Sequence, residues 1–182
     1  MPSFLFLRSP SYRGWAIIWK HEEGAYNAAN EQGRKIHLWK IRDPIGRNRA
    51  VPPPQAVEEY RIAREGAVYL FTGSKITGGF CVTRQELLHP SKLGHILDEL
   101  PQLLHYTAAP GEFIKYKGRA YCWTPISEEG QIHLTEEMLA FLSIKPGMEL
   151  LSIRSSDIAF TMGAKGPLLE KAEHYDGEIP VF

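Results

Sequence analysis

The sequence of 182 residues contains little cysteine, no excess charge of either sign and no long hydrophobic run. Its two cysteines, Cys81 and Cys122, are far apart and form no C-x-x-C pair, so the spacing of a zinc knuckle or a dithiol redox site is absent. No segment approaches the roughly 20 apolar residues that a membrane-spanning helix requires. The apolar run over residues 1–7 is too short for a signal sequence. We therefore expect a cytoplasmic protein with no metal, no cofactor and no membrane partner.

The formal net charge is zero, because 21 Lys and Arg residues balance 21 Asp and Glu residues. This balance removes the simplest indication of a protein that binds nucleic acid or a membrane surface, which is an overall positive charge. The charge is nevertheless uneven, since residues 8–49 contain nine basic residues and four acidic ones. A solvated basic surface is the ordinary interpretation of such a run. The alternative is an electropositive binding face in the N-terminal third.

The tetrapeptide Ala108-Ala109-Pro110-Gly111 separates two unlike sequence patterns and is the best linker candidate. We expect an N-terminal α+β domain of unknown function over residues 1–111 and a second domain over residues 112–182. In the first domain, alternating or aromatic-rich runs predict strands, and tracts of helix formers predict helices. The predicted strands are 4–7, 12–19, 35–41, 67–71 and 80–83, and the predicted helices are 55–65, ending at Gly66, and 90–106, ended or kinked at Pro101.

The second domain contains an ordered series of short elements. Thr135 is a predicted helix N-cap, and two acids follow it where the helix dipole favours them. Lys145-Pro146-Gly147 predicts a type II turn with glycine at the positive-φ position. The series begins with a predicted strand over 113–123, which has a candidate bend at Gly118, followed by a polar turn over 127–130 and an extended run over 131–134. A two-turn helix follows, with Met138, Leu139 and Leu142 on its apolar face. After the Pro-Gly turn, the predicted hairpin consists of 149–154 and 158–162, joined by Ser155-Ser156-Asp157.

The segment from Gly130 to Gly163 resembles the AbrB-like swapped-hairpin family, which includes the SpoVT-AbrB regulators and the MazE-type antitoxins. The resemblance is carried by the run Gly130-Gln131-Ile132-His133-Leu134, by residues 142–150 with their Pro-Gly turn, and by the hairpin that follows. It implies an AbrB-like swapped-hairpin β-barrel half, in which two chains exchange hairpins to close one barrel. The protein would then be a homodimer. The resemblance further implies DNA binding, as a transcriptional regulator or as an antitoxin-type component.

In this family, basic residues near the glycine-containing turn and the first barrel strand hold DNA. Here that turn carries Glu128 and Glu129, while Gln131 and Thr135 stand where a basic residue and a proline are common. Acids beside phosphates weaken binding, so the resemblance supports dimerisation better than it supports DNA recognition. The DNA-binding candidates are Lys115, Lys117, Arg119 and Arg154 in the second domain and Arg42, Arg47 and Arg49 in the first.

Two other functions are alternatives to DNA binding. One is a binding module that dimerises through the barrel and holds a protein or a small ligand with its N-terminal domain. The other is an enzyme that uses His95, Asp98 or His21, but no ordered catalytic motif supports it, and we do not expect an enzyme.

Two glycine-rich segments are weak candidates for anion binding. Residues 73–79 have glycines at P-loop spacing but lack the Lys-Ser/Thr pair after the last glycine. Residues 163–167 offer backbone amides and one lysine. A flexible hairpin loop and a tight exit from a strand are the ordinary interpretations of these segments.

Overall fold

The computed structural model describes residues 50–145 and 147–174 with their side chains, and the backbone alone of residues 5–8, 15–20, 26–29, 35–37, 39–41 and 49. The strands are β1 (Leu5–Arg8), β2 (Trp15–Lys20), β3 (Tyr26–Ala29), β4 (Lys35–His37), β5 (Trp39–Ile41), β6 (Arg49–Ala50), β7 (Ala67–Thr72), β8 (Phe80–Thr83), β9 (Ile114–Tyr116), β10 (Arg119–Pro125), β11 (Ile132–His133), β12 (Leu150–Arg154) and β13 (Phe160–Gly163). The helices are α1 (Pro54–Tyr60), α2 (Gln85–Leu88), α3 (His95–Glu99), α4 (Pro101–Leu104), α5 (Glu136–Leu142) and α6 (Pro167–Glu173), and a 3₁₀ helix covers Ile62–Glu65. The chain belongs to the expected α+β class.

The largest sheet is open, with the strand order β5-β12-β13-β8-β7-β10-β9. Six of its strands, from β12 to β9, lie in the part described with side chains. All neighbours in this sheet pair antiparallel. The strands β1-β2-β3-β4 form a second sheet, and β11 pairs with β6. Because antiparallel neighbours run in opposite directions, the carboxyl end of each strand lies beside the amino end of the next. Each connection between strands therefore lies at one of the two ends of the sheet.

Both faces of the largest sheet are covered by helices. On one face, inward residues of β7, β8, β10 and β13 pack against α1 and α5 in a single buried cluster. On the other face, the alternate residues pack against α2, α3 and α4. Leu151 and Ile153 of β12 pack against Ala172 of α6. This period-two division of the strands gives the sheet two apolar layers.

The predicted order of elements after residue 130 is confirmed. The Thr135 hydroxyl accepts a hydrogen bond from the Met138 amide at 3.2 Å and caps the two-turn helix α5. Gly147 has a φ of 77°, and the Lys145 carbonyl accepts from the Met148 amide at 3.0 Å, as a type II turn requires. The strands β12 and β13 then form the expected hairpin, in which Arg154 is paired with Phe160.

The expectation of a barrel half is corrected by the pairing of this hairpin. Within the described residues, β12 pairs with β5 and β13 pairs with β8, so the hairpin lies inside an open sheet and not in a closed barrel. Its turn is also fixed to α1, because the Tyr60 hydroxyl donates to the Ser156 carbonyl at 2.6 Å and Arg154 lies 2.5 Å from Glu59. The physical reason is that residues 39–41 and 80–83 supply, within the chain, the strand partners that a barrel half would take from a second copy.

Three predicted elements differ from the described ones. The strand over 35–41 is divided into β4 and β5, which belong to different sheets, because alternation defines a buried face but does not choose the pairing partner. The helix over 90–106 is divided at Leu100 before Pro101, and α2 was not predicted. The strand over 113–123 is a hairpin of β9 and β10. The largest sheet combines strands from both sides of residue 111, and the domains 1–111 and 112–182 stay a prediction.

Candidate nucleic-acid interface

Three connections lie at the same end of the largest sheet. They are the turn Lys117–Gly118 between β9 and β10, the loop 73–79 between β7 and β8, and the segment 164–166 that follows β13. Four exposed cations stand on or beside these connections, and we call this surface the cationic end. Its cations are Lys75, Lys117, Arg119 and Lys165.

The turn between β9 and β10 is tight and carries two of these cations. Lys117 and Gly118 have φ values of 44° and 81°, and Tyr116 pairs with Arg119 across the turn. Positive φ at both central residues is the signature of a two-residue type I′ turn, which glycine adopts easily. The Lys117 ammonium lies 4.9 Å from the centre of the Tyr116 ring, and the Arg119 guanidinium lies 5.6 Å from that of Phe71. The two rings therefore help to orient both charges.

The loop 73–79 and the segment 164–166 pack against each other. The Thr77 carbonyl accepts hydrogen bonds from the amides of Ala164, at 2.9 Å, and Lys165, at 3.0 Å. A Cβ atom added to Gly166 would lie 2.5 Å from the Ile76 carbonyl, so glycine permits this approach. The amides of residues 164 and 165 are thus already used inside the protein. They are not available for the anion site that the glycine-rich segment offered.

The cations at the cationic end differ from those at the opposite end in their pairing. Among the residues that the structure describes, none of the four cationic-end side chains forms an ion pair within 4.0 Å. Contact with the Tyr116 side chain raises the pKa of Lys117 above its ordinary value, so this group is charged at neutral pH. An acid, Glu149, also lies at this end, just before β12.

The opposite end of the sheet holds paired cations. The buried Arg84 side chain lies 2.6 Å from Glu65 and 2.5 Å from Glu86, and its Nε donates to the Tyr60 carbonyl at 3.0 Å. Glu65 also accepts from the amides of residues 85 and 86, at the start of α2. Arg154 contacts Glu59 and, at 3.1 Å, Asp157. These charges hold elements of the fold together and are neutralised where they stand.

The structure brings some of the predicted DNA-binding residues together and separates others. The β9–β10 hairpin carries Lys115, Lys117 and Arg119. Lys115 pairs with Ala120, so these two side chains share one face of the sheet. The side chain of Arg119, one residue earlier, points to the opposite face. Arg154 lies at the other end, five strand spacings from β9, or about 24 Å. Arg49 pairs with His133 through its backbone, while Arg42 and Arg47 lie outside the described residues.

Sequence reasoning named Lys165 only as the cation of a weak anion-site candidate, and it placed neither Lys165 nor Lys75 among the DNA-binding residues. A signal for both was present, because each lies in one of the two glycine-rich segments that were weak anion-site candidates. Their proximity to the β9–β10 turn depends on the order of strands in the sheet. That order was not accessible from local patterns.

The other chemical candidates are weak within the described part of the chain. Burial raises the pKa of Cys122 to about 12 and also raises the pKa of Cys81, so neither thiol is a nucleophile at neutral pH. His95 lies against the Tyr116 ring, and Asp98 is 3.5 Å from His89 on an exposed surface. No group of three metal-ligating side chains occurs among the described residues.

Comparisons with protein-family models, curated proteins and solved structures find no match for this chain. None of the described helices is long and apolar enough to cross a membrane. The candidate site therefore has to be interpreted from its own geometry and charge.

Proposed function

We propose that this protein is a regulatory, non-enzymatic protein that binds DNA through the cationic end of its largest sheet. The observation that carries the proposal is the contrast between the two ends. Arg84 and Arg154 are neutralised by neighbouring acids, whereas the cationic-end side chains form no ion pair among the described residues. Exposed cations without an internal partner can exchange their counterions for phosphates.

The size of the cationic end suits an extended polyanion better than a single small anion. Lys165 follows β13 and Lys117 follows β9, and four strand spacings, or about 19 Å, separate these strands. A single phosphate cannot contact cations that far apart. Double-stranded DNA carries one charge per about 1.7 Å of its axis, so a stretch of this length presents about 11 phosphates.

Homodimerisation and membership of the AbrB-like family belong to the same proposal. They are supported by the order of elements from Gly130 to Gly163, which matches the turn, strand, helix and hairpin of that family. Inside one chain, β12 pairs with β5 and β13 pairs with β8. If two chains exchange their β12–β13 hairpins, the same two strand pairs form between the chains. Light scattering should give twice the mass of one chain, and the mass of a single chain would refute this part of the proposal.

A binding series in salt tests the DNA proposal. If the four cations each neutralise one phosphate, the logarithm of the binding constant should fall with the logarithm of salt concentration with a slope of about −3.6 per chain. This slope corresponds to a loss of about 150-fold between 50 and 200 mM salt. The measurement is fluorescence anisotropy of a labelled 20-base-pair duplex, and absent or salt-insensitive binding would refute DNA binding.

Single substitutions localise the effect. Lys75→Gln and Lys117→Gln should each reduce the slope by about 0.9, because each removes one phosphate contact. Arg64→Gln is the matched control, since Arg64 is an exposed cation that contacts Glu86 at the opposite end. Equal effects of all three substitutions would place the DNA elsewhere on the molecule. If no duplex binds at low salt, the alternative of a module that binds a protein or a small ligand takes precedence.

A further inference from the structure

An exposed isoleucine lies in the middle of the cationic end. Ile76 is 64% exposed, the highest value among the large hydrophobic side chains of the described residues. It belongs to the loop between β7 and β8, and these strands lie between β13 and β10 in the sheet. The loop that carries Lys75 and Ile76 therefore lies between Lys165, which follows β13, and the β9–β10 turn, which carries Lys117 and Arg119.

The loop holds Ile76 in a fixed position. The Ser74 hydroxyl accepts from the Thr77 amide at 3.1 Å and lies 3.0 Å from the Thr77 hydroxyl. Gly78 donates from its amide to the Ser74 carbonyl at 2.8 Å. The Ile76 backbone also packs against Gly166. A side chain that is presented by a closed loop loses little conformational entropy when it binds a partner.

The aromatic rings near this surface are already covered by cations. Lys117 lies over Tyr116, and Arg119 lies over Phe71, whose ring is itself buried. These rings do not offer a free face on which an unpaired base could stack, as single-strand-binding proteins require. At the cationic end, Ile76 is the most exposed of the large apolar side chains that the structure describes, ahead of Met148 just before β12, and it is the one that a base would meet first.

We propose that Ile76 is an apolar wedge that inserts between adjacent base pairs of a DNA duplex held by the cations on either side. This inference rests on the proposed DNA binding and adds to it the form of the ligand, which is a duplex bent at the inserted step. Apolar wedges flanked by basic residues unstack a base step and kink the duplex in architectural proteins. Pyrimidine–purine steps unstack most easily, so a duplex with a central TA step is the preferred ligand.

The test compares Ile76→Ala with Ile76→Leu, which keeps an apolar side chain of similar volume. Phe141→Ala is the matched control, because Phe141 is an exposed apolar side chain on α5. Affinity is measured by anisotropy, and bending by energy transfer between dyes at the two ends of a TA-centred duplex. Heparin serves as a polyanion without base pairs.

Ile76→Ala should lose at least about tenfold in affinity for the duplex, since burial of an isoleucine side chain contributes at least that factor. Bending should disappear, while the salt slope and heparin binding stay unchanged. Ile76→Leu and Phe141→Ala should behave like the natural chain. An equal loss on heparin, or a duplex that the natural chain binds without bending, would overturn the wedge and leave DNA binding intact. Absence of duplex binding by the natural chain would overturn both.

Discussion

Removal of the buried Arg84 charge should destabilise the fold far more than removal of an exposed charge nearby. Arg84 is 8% exposed in its side chain, and its partners Glu65 and Glu86 are 17% and 56% exposed. In Arg84→Met the Glu65 carboxylate stays nearly buried without its cation. Breaking a buried pair from one side costs about 3–5 kcal/mol. The lower end applies here, because two backbone amides still donate to Glu65.

The matched control is Arg64→Met. Arg64 contacts the same Glu86 carboxylate at 3.4 Å, but it is 60% exposed, and surface pairs of this kind contribute less than about 1 kcal/mol. With a urea m-value of about 3 kcal/mol/M, the unfolding midpoint of Arg84→Met should fall by about 1 M. That of Arg64→Met should fall by less than about 0.3 M.

Urea unfolding followed by tryptophan fluorescence measures both midpoints under one set of conditions. Equal shifts for Arg84→Met and Arg64→Met would refute the reasoning, because burial would then not decide the contribution of the pair. The double variant of Arg84→Met with Glu65→Gln should regain part of the loss, since it removes the uncompensated carboxylate. Arg84→Met should leave the salt slope of DNA binding unchanged while the chain is folded, because Arg84 lies at the end opposite the cationic end.

Two further stability predictions concern single hydrogen bonds. Thr135→Ala should lower the free energy of unfolding, measured in urea, by about 1 kcal/mol, because it removes the hydroxyl that caps α5. Thr135→Ser keeps a hydroxyl and should retain most of that stability. Burial raises the pKa of Tyr60 above its ordinary value of 10.0, so its folded state keeps the proton longer than the unfolded state. The stability from this group is fully present below pH 10 and is lost as the pH rises further. Tyr60→Phe should therefore lower the free energy of unfolding by about 1 kcal/mol at neutral pH. The free energy of unfolding of the variant should then decline less above pH 10 than that of the natural chain. An equal decline in both proteins would show that Tyr60 is not the group responsible.

The elements after residue 130 were predictable because their signals are local. An N-cap hydroxyl at Thr135, acids in the first turn and glycine at the positive-φ position of a turn each act within a few residues. The same kind of signal located the hairpins of β7 with β8 and of β12 with β13. By contrast, the sequence predicts one strand with a candidate bend at Gly118 and not the turn at Lys117–Gly118, because a lysine at positive φ is rare and local patterns do not indicate it.

The candidate site was less predictable, since it depends on which strands are neighbours. Arg154 and Lys117 were grouped as DNA-binding candidates, but they lie at opposite ends of the sheet. Lys75 and Lys165 are 90 positions apart in the chain, and hydrogen bonds from Ala164 and Lys165 to Thr77 bring their segments together. Strand order in an antiparallel sheet depends on side-chain packing between distant segments, and the alternation of single strands does not encode it.

A formal net charge of zero therefore conceals, within the described residues, a separation of paired and unpaired charge. Burial imposes the pairing at one end, because the Arg84 guanidinium keeps its charge and would cost much free energy in so enclosed a place without acids beside it. Solvent permits the cationic-end side chains to have no ion pair with the other described residues, since exposed cations repel each other weakly at physiological ionic strength. Substitutions at the two ends should consequently act on different quantities, stability for Arg84 and polyanion affinity for Lys117. A combined variant should show the stability loss of the Arg84 substitution and the affinity loss of the Lys117 substitution, each unchanged, because sites this far apart do not couple.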